Sequence, residues 1–124
     1  ADDIPLSLEI ATAARGPVLD LTGKTPLPRL VALLAAADLM LANDTGPLHL
    51  AAALGRPCVA PFTCTKVALH GPYTSPGGGV ETQVACAGSY LKRCPNGTVC
   101  FGELTPERLW PTLARSLRSA GDLT

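Results

Sequence analysis

Apolar positions in the first half of the chain fall into two alternating textures, short continuous runs and longer segments at helical spacing. That alternation marks strands joined by crossover helices in a parallel sheet. Pro5 to Ala14 reads as a helix with Leu6, Ile10 and Ala13 on one face, stopped by Gly16-Pro17. Val18 to Leu21 reads as a short strand and Thr22-Gly23-Lys24-Thr25 as a turn; Leu27, Leu30, Leu33 and Leu34 then recur at helical spacing up to Ala35-Ala36-Ala37. Leu39 to Ala42 is the next expected strand. Asn43-Asp44-Thr45-Gly46-Pro47 supplies cap-type residues and a proline tolerated in the first helical turn, so a helix is expected from Pro47 to Leu54. Gly55 ends it, and Cys58 to Phe62 is a third apolar strand. The expected class is α/β, an open parallel sheet flanked by helices.

The second half reads differently. Thr63 to Gly79 is rich in Thr, Pro and Gly and is expected to be a surface loop, with Gly77-Gly78-Gly79 outside any regular element. Val80 to Cys86 is the expected edge strand. Thr105-Pro106-Glu107 opens a final helix, with Leu109, Leu113 and Leu117 on its apolar face.

Length and charge narrow the function classes. A chain of 124 residues is about one domain, enough for one layered core but not for two domains facing a cleft. Ten Lys plus Arg balance ten Asp plus Glu with no basic stripe, which argues against nucleic acid as a partner. The most apolar stretch, Leu30 to Ala42, is interrupted by Asp38 and falls short of the roughly 20 residues that span a bilayer. The first residues, Ala1-Asp2-Asp3-Ile4-Pro5, are acidic where a secretory signal would be basic and then apolar. With five cysteines, an odd number, reduced thiols in a cytoplasmic protein are the expectation.

Chemistry concentrates in Asp44-Thr45-Gly46-Pro47-Leu48-His49. The segment sits where a strand turns into a helix, so unpaired N–H groups and the helix dipole together make an anion site. Gly46 lets a pyrophosphate approach without a Cβ in the way; the donors would be the Gly46 and Leu48 N–H groups and the Thr45 hydroxyl. Asp44 is better suited to accept hydrogen bonds from sugar hydroxyls, and His49 can face the same crevice. Read locally, a second role also fits: Asp44 and Thr45 as helix caps only, with His49 a satisfied half-buried side chain.

Asn43 to Pro57, preceded by Leu21-Thr22-Gly23-Lys24-Thr25 and followed by Gly71-Pro72-Tyr73, resembles the donor-domain signature of the ADP-heptose:lipopolysaccharide heptosyltransferase family, glycosyltransferase family 9. The likeness runs from Leu21 into the final helix. It implies a GT-B enzyme of two Rossmann-like domains facing a cleft, of which this chain would be the C-terminal, nucleotide-sugar-binding half, with residues 1–124 as one domain. By that resemblance Thr45, Gly46 and Leu48 hold the diphosphate, Asp44 the sugar hydroxyls, and His49 shapes the donor site. Lys24 and Thr25 match the loop beside base and ribose, and Asp2 or Asp3 the acidic residue that meets the ribose.

The resemblance also implies transfer of heptose from a nucleotide diphosphate, with adenine as base, to a lipid-linked glycan acceptor. The setting would be the cytoplasmic face of a bacterial inner membrane, with peripheral association. It implies no metal or other cofactor, and no catalytic residue in this chain: the proton-accepting carboxylate belongs to the N-terminal acceptor domain, and the first strand of the C-terminal domain is expected upstream of Ala1. A rival class is a nucleotide-diphosphate-binding regulatory module without transfer activity. One departure stands out: Phe62-Thr63-Cys64-Thr65 replaces the family's Phe-Gly-Pro-Thr turn.

Three other signals carry less. Thr22-Gly23-Lys24-Thr25 ends like a P-loop, but Val18 stands where the first glycine is required. Cys86, Cys94 and Cys100 resemble the family's four-cysteine segment with Ser89 at the second position, so a thiolate site for zinc would need Cys64 as its fourth ligand. Free or partly oxidised thiols are expected instead. His70 is expected as a solvated loop histidine.

Overall fold

A computed structural model describes residues 3–73 and 78–121, with side chains through residue 119. The chain forms two compact units, Ala1–Leu33 and Leu34–Thr124.

In the first unit, α1 (Ile4–Ala13) starts with proline in its first turn and Asp3 at the cap position, and none of its residues is buried. The expected strand at Val18–Leu21 does not form: the segment has no ladder partner among the described residues, and Val18 and Leu19 are exposed. Apolar propensity alone cannot hold a strand whose N–H and C=O groups find no neighbour. The turn after it is real. The Lys24 N–H donates to the Leu21 carbonyl at 2.9 Å, with Gly23 at φ 71°. Helix α2 (Leu27–Ala36), whose residues from Leu34 onward belong to the second unit, follows as expected, with Leu34 its buried residue.

The second unit holds a three-stranded parallel sheet, β1 (Met40–Leu41), β2 (Cys58–Phe62) and β3 (Gly78–Glu81), in spatial order β1-β2-β3. Met40 pairs with Cys58, and Val59 to Phe62 pair with Gly78 to Glu81. The central strand is covered on both faces: Cys58, Val59, Ala60 and Phe62 are all buried. Successive strand residues point to opposite faces, so such a run requires a layer on each side. Helix α3 (Gly46–Ala53) buries Leu48, Ala51 and Ala52 and packs on β1 and β2, while α6 (Pro106–Gly121) packs on β2 and β3.

Helix α3 ends as the sequence predicts. Gly55 takes φ 71°, its N–H donates to Ala52, and the Arg56 N–H donates to Ala51, the paired bonds of a Schellman motif.

The second half departs from expectation in four places. The expected Thr63–Gly79 loop contains a short helix, α4 (Val67–His70), so His70 is helical, and its ring centroid lies 5.5 Å from that of Tyr90. Gly78 and Gly79 open β3 rather than lying outside it, and Gly77 falls outside the described residues. The reason is space. A Cβ on Gly79 would stand 2.8 Å from the Phe62 ring, and one on Gly78 would reach Thr112 of α6. Glycine here marks close approach of packed layers rather than a loop.

Strand β3 also stops short of the expected Cys86, because Glu103 of α5 (Val99–Glu103) intercepts the chain. Its carboxylate accepts the Gln83 N–H at 2.9 Å, removing that donor from any ladder, and also accepts the Thr82 hydroxyl. In α6 the buried face includes Ser116, whose hydroxyl donates to the Thr112 carbonyl; Leu117 is exposed instead of joining the face expected for it.

Candidate functional site

Parallel strands place their carboxyl ends together, and the crevice beyond those ends is where open α/β sheets bind ligands. In the second unit β1 leads into Asn43 and Asp44, and adjacent β2 leads into Thr63, Cys64 and Thr65. The two loops meet. The Thr65 hydroxyl donates to Oδ2 of Asp44 at 2.7 Å, and Nε2 of His49 lies 3.6 Å from Oδ1 of the same carboxylate. A cavity of about 460 Å³ opens beside them, lined by Asn43, Asp44, Pro61, Thr63 to Thr65, Phe101 and Leu104.

Local sequence explains the start of α3. Thr45 occupies the cap position in extended conformation (φ −148°, ψ 169°), followed by Gly46 and Pro47. Its hydroxyl does not cap the helix but donates to the Asn43 carbonyl at 3.2 Å. The Asp44 carboxylate accepts from Thr65 through Oδ2, so pure capping by these two side chains is not the arrangement found. The Leu48 N–H donates to the Thr45 carbonyl at 3.1 Å, and Leu48 is fully buried. The Gly46 N–H has no partner among the described residues, and a Cβ on Gly46 would meet nothing within 4 Å. An unpaired N–H at the positive end of an eight-residue helix, open to solvent, is an anion-binding geometry.

Asp44, Thr45, Gly46, Leu48 and His49 thus share one strand-to-helix junction. Lys24 and Thr25 belong to the first unit. There Nζ of Lys24 donates to the Asp20 carbonyl at 3.3 Å, and Thr25 lines a cavity of about 400 Å³ with Ile10, Leu19, Asp20 and Leu30. The Asp20 carboxyl is held below its ordinary value, first by the Thr22 side-chain hydroxyl and then by the Thr22 backbone N–H. Asp3 is the cap residue of α1 and makes no side-chain cap; Asp2 falls outside the described residues.

Residues that sequence reasoning did not select also build the site. Thr65 lies three positions past the end of β2, so the carboxyl-end rule applied to the second strand would have found it. Phe101 and Leu104 had no such signal, because α5 was not expected. It begins after Thr98, a non-glycine residue at φ 63°.

None of the five cysteines, all of them among the described residues, is joined in a disulfide; Cys58 and Cys100 are buried, and the Cys58 thiol donates to the Arg56 carbonyl at 3.1 Å. Cys64, Cys86, Cys94 and Cys100 line a common cavity of about 190 Å³. Among the described residues no group of three His, Cys, Asp or Glu is placed to hold a metal ion. Nor is any described helix long and apolar enough to cross a membrane.

An open parallel sheet flanked by helices, with a carboxylate and an open helix N-terminus at its carboxyl edge, defines an α/β domain of Rossmann-like type. The family model for glycosyltransferase family 9 (heptosyltransferase) matches residues 6–99, and the chain belongs to that family, which is of GT-B type. Among curated relatives, lipooligosaccharide heptosyltransferase 2 of Campylobacter jejuni (serotype O:2) is 33% identical over 94 residues, covering 74% of this chain and 30% of the relative. Lipopolysaccharide heptosyltransferase 3 of Escherichia coli K12 is 37% identical over 75 residues, covering 60% of this chain and 22% of the relative. The chain thus spans less than a third of the length of these relatives. No solved structure matches it.

Proposed function

We propose that this chain is the donor-holding part of a heptosyltransferase that takes a nucleotide diphosphate-sugar, ADP-heptose, and serves its transfer to the core of a lipopolysaccharide. The observation that carries the reading is the junction after β1. Within the family-matched segment it sets a carboxylate fixed by Thr65 beside the open N-terminus of α3.

The chemistry assigned to each group follows from its position. The Gly46 N–H and the positive end of α3 receive the diphosphate, and the same dipole stabilises the charge that grows on it as leaving group. The Thr45 hydroxyl, which donates to the Asn43 carbonyl, reaches the phosphate by a rotation about χ1. Leu48 contributes its buried side chain, which seats the helix on the sheet, its N–H being already used by Thr45. Asp44 accepts from sugar hydroxyls and His49 lies against its other oxygen. Lys24 and Thr25 are assigned to base and ribose on the family resemblance. The carboxylate that takes the acceptor proton, and the acceptor surface itself, are assigned to an N-terminal domain outside this chain, with the full-length enzyme peripheral at the cytoplasmic face of the inner membrane.

The test is release of ADP from ADP-heptose by the full-length protein in the presence of heptose-deficient lipopolysaccharide. Acceptor-dependent release supports the assignment. Failure with ADP-heptose and with other nucleotide diphosphate-sugars, by a folded protein, overturns it.

A further inference from the structure

The cavity beyond β1 and β2 has two unlike walls. One side is polar: the Asp44 carboxylate with Thr65 donating to Oδ2 at 2.7 Å, flanked by Thr63. The other is apolar and comes from Phe101 of α5 and from Leu104, the residue just after that helix, which line the same space. Phe101 is 66% exposed, so its ring is not part of the core. A pyranose ring has matching halves, an edge of hydroxyls and a face of C–H groups, and the volume of about 460 Å³ lies in the usual range of small-molecule sites.

We propose that Thr65 is a positioning residue that aims Asp44 at the sugar hydroxyls and that Phe101, across the cavity, sets specificity by carrying the apolar face of the sugar ring. The inference rests on the donor reading of the junction after β1. It adds two residues: Thr65, which acts only through Asp44, and Phe101, which lies outside the family-matched residues 6–99.

The physical argument for Thr65 is geometric. Left alone, the Asp44 side chain can rotate, and His49 at 3.6 Å is too far to fix it by a hydrogen bond. The Thr65 hydroxyl occupies one carboxylate oxygen and holds the plane of the group, leaving lone pairs of the other for a ligand. Without that bond, ordering Asp44 must come out of the sugar's binding energy. Phe101 acts by contact area, so truncating it removes an apolar surface that only the sugar, and not the diphosphate, would cover.

The experiment measures the affinity of the full-length protein for ADP and for ADP-heptose by calorimetry, in wild type, Thr65→Val, Thr65→Ser and Phe101→Ala. Thr65→Val keeps the shape and removes the hydroxyl; Thr65→Ser returns it. In wild type the sugar is expected to improve affinity over ADP. Thr65→Val is expected to cut that improvement by about tenfold, the scale of a lost hydrogen bond to a charged group. Thr65→Ser should restore most of it, and Phe101→Ala should cut it several-fold, with ADP affinity and melting temperature unchanged in all three. A merely structural role would instead lower the melting temperature and weaken both ligands alike, and that result overturns the proposal. So does an unchanged ratio in Thr65→Val and Phe101→Ala while wild type binds both ligands. If wild type binds neither ligand, the donor reading itself falls, and this inference with it.

Discussion

Glu103 ties the end of β3 to α5 and α6, and its loss has a predictable size. Its carboxylate accepts from the Thr82 hydroxyl, the Gln83 N–H at 2.9 Å and the Arg108 guanidinium, whose other nitrogen donates to the Glu81 carbonyl at 2.7 Å. Thr82 is only 3% exposed, whereas the Glu103 and Arg108 side chains are about a quarter exposed. Glu103→Ala therefore strands one buried hydroxyl and leaves two donors that water can partly satisfy. Breaking a fully buried pair costs about 3–5 kcal/mol, and hydrogen bonds to charged groups contribute about 1.5–3 kcal/mol each. Partial exposure lowers the expected loss to about 2–3 kcal/mol.

Urea unfolding followed by circular dichroism reads this as a midpoint lowered by about 1–2 M, taking a slope of about 1–3 kcal/mol/M. Arg108→Ala and the double variant complete a cycle, with an expected coupling of about 1 kcal/mol or more. A loss below about 0.5 kcal/mol, the size of an ordinary surface substitution, would refute the account of how α5 is held. Because α5 carries Phe101 and leads directly into Leu104, the variant should also loosen the cavity wall they form.

Two further outcomes follow from local geometry. Gly79→Ala should destabilise by about 1–3 kcal/mol, because the new Cβ enters the Phe62 ring and the Val67 side chain, and a melting temperature equal to wild type would contradict that packing. The Asp20 carboxyl should titrate below its ordinary value, because Thr22 bonds favour the charged form. Its contribution to the turn is present above the unfolded aspartate value and is lost as pH falls through the lowered folded value. Carboxyl carbon shifts measured by NMR should show this, and Thr22→Val should move the titration back up; no movement would sink the assignment.

Much of this was legible in the sequence, and the exceptions share a cause. Local rules sufficed where a segment's fate is set by its own residues. Thr45-Gly46-Pro47 starts α3, Gly55 stops it, and the unbroken apolar run Cys58 to Phe62 can only be a strand buried on both faces. They failed where a distant partner decides. Val18–Leu21 has strand composition but no neighbouring strand among the described residues, whereas Gly78-Gly79 has loop composition but lies under Phe62 and beside Thr112.

Residues of the candidate site divide in the same way. Asp44 and the helix start could be read from one contiguous motif, whereas Thr65 reaches Asp44 across 21 positions and Phe101 arrives on a helix that no periodicity announced. The Leu48 N–H shows the limit of motif reasoning in detail, since the helix geometry had already given it to the Thr45 carbonyl.

The central claim is that the open N-terminus of α3 receives a diphosphate, and Gly46→Ala tests it most directly. A Cβ there meets nothing within 4 Å, so stability should stay within about 0.5 kcal/mol of wild type. A phosphate drawn close to the Gly46 N–H would meet that same Cβ. Calorimetry on the full-length protein should therefore show ADP binding to wild type and an affinity at least about tenfold weaker in Gly46→Ala, on the scale of a lost hydrogen bond to a charged group, with an unchanged melting temperature. Equal ADP affinity in the two proteins, or none in wild type, would contradict the account.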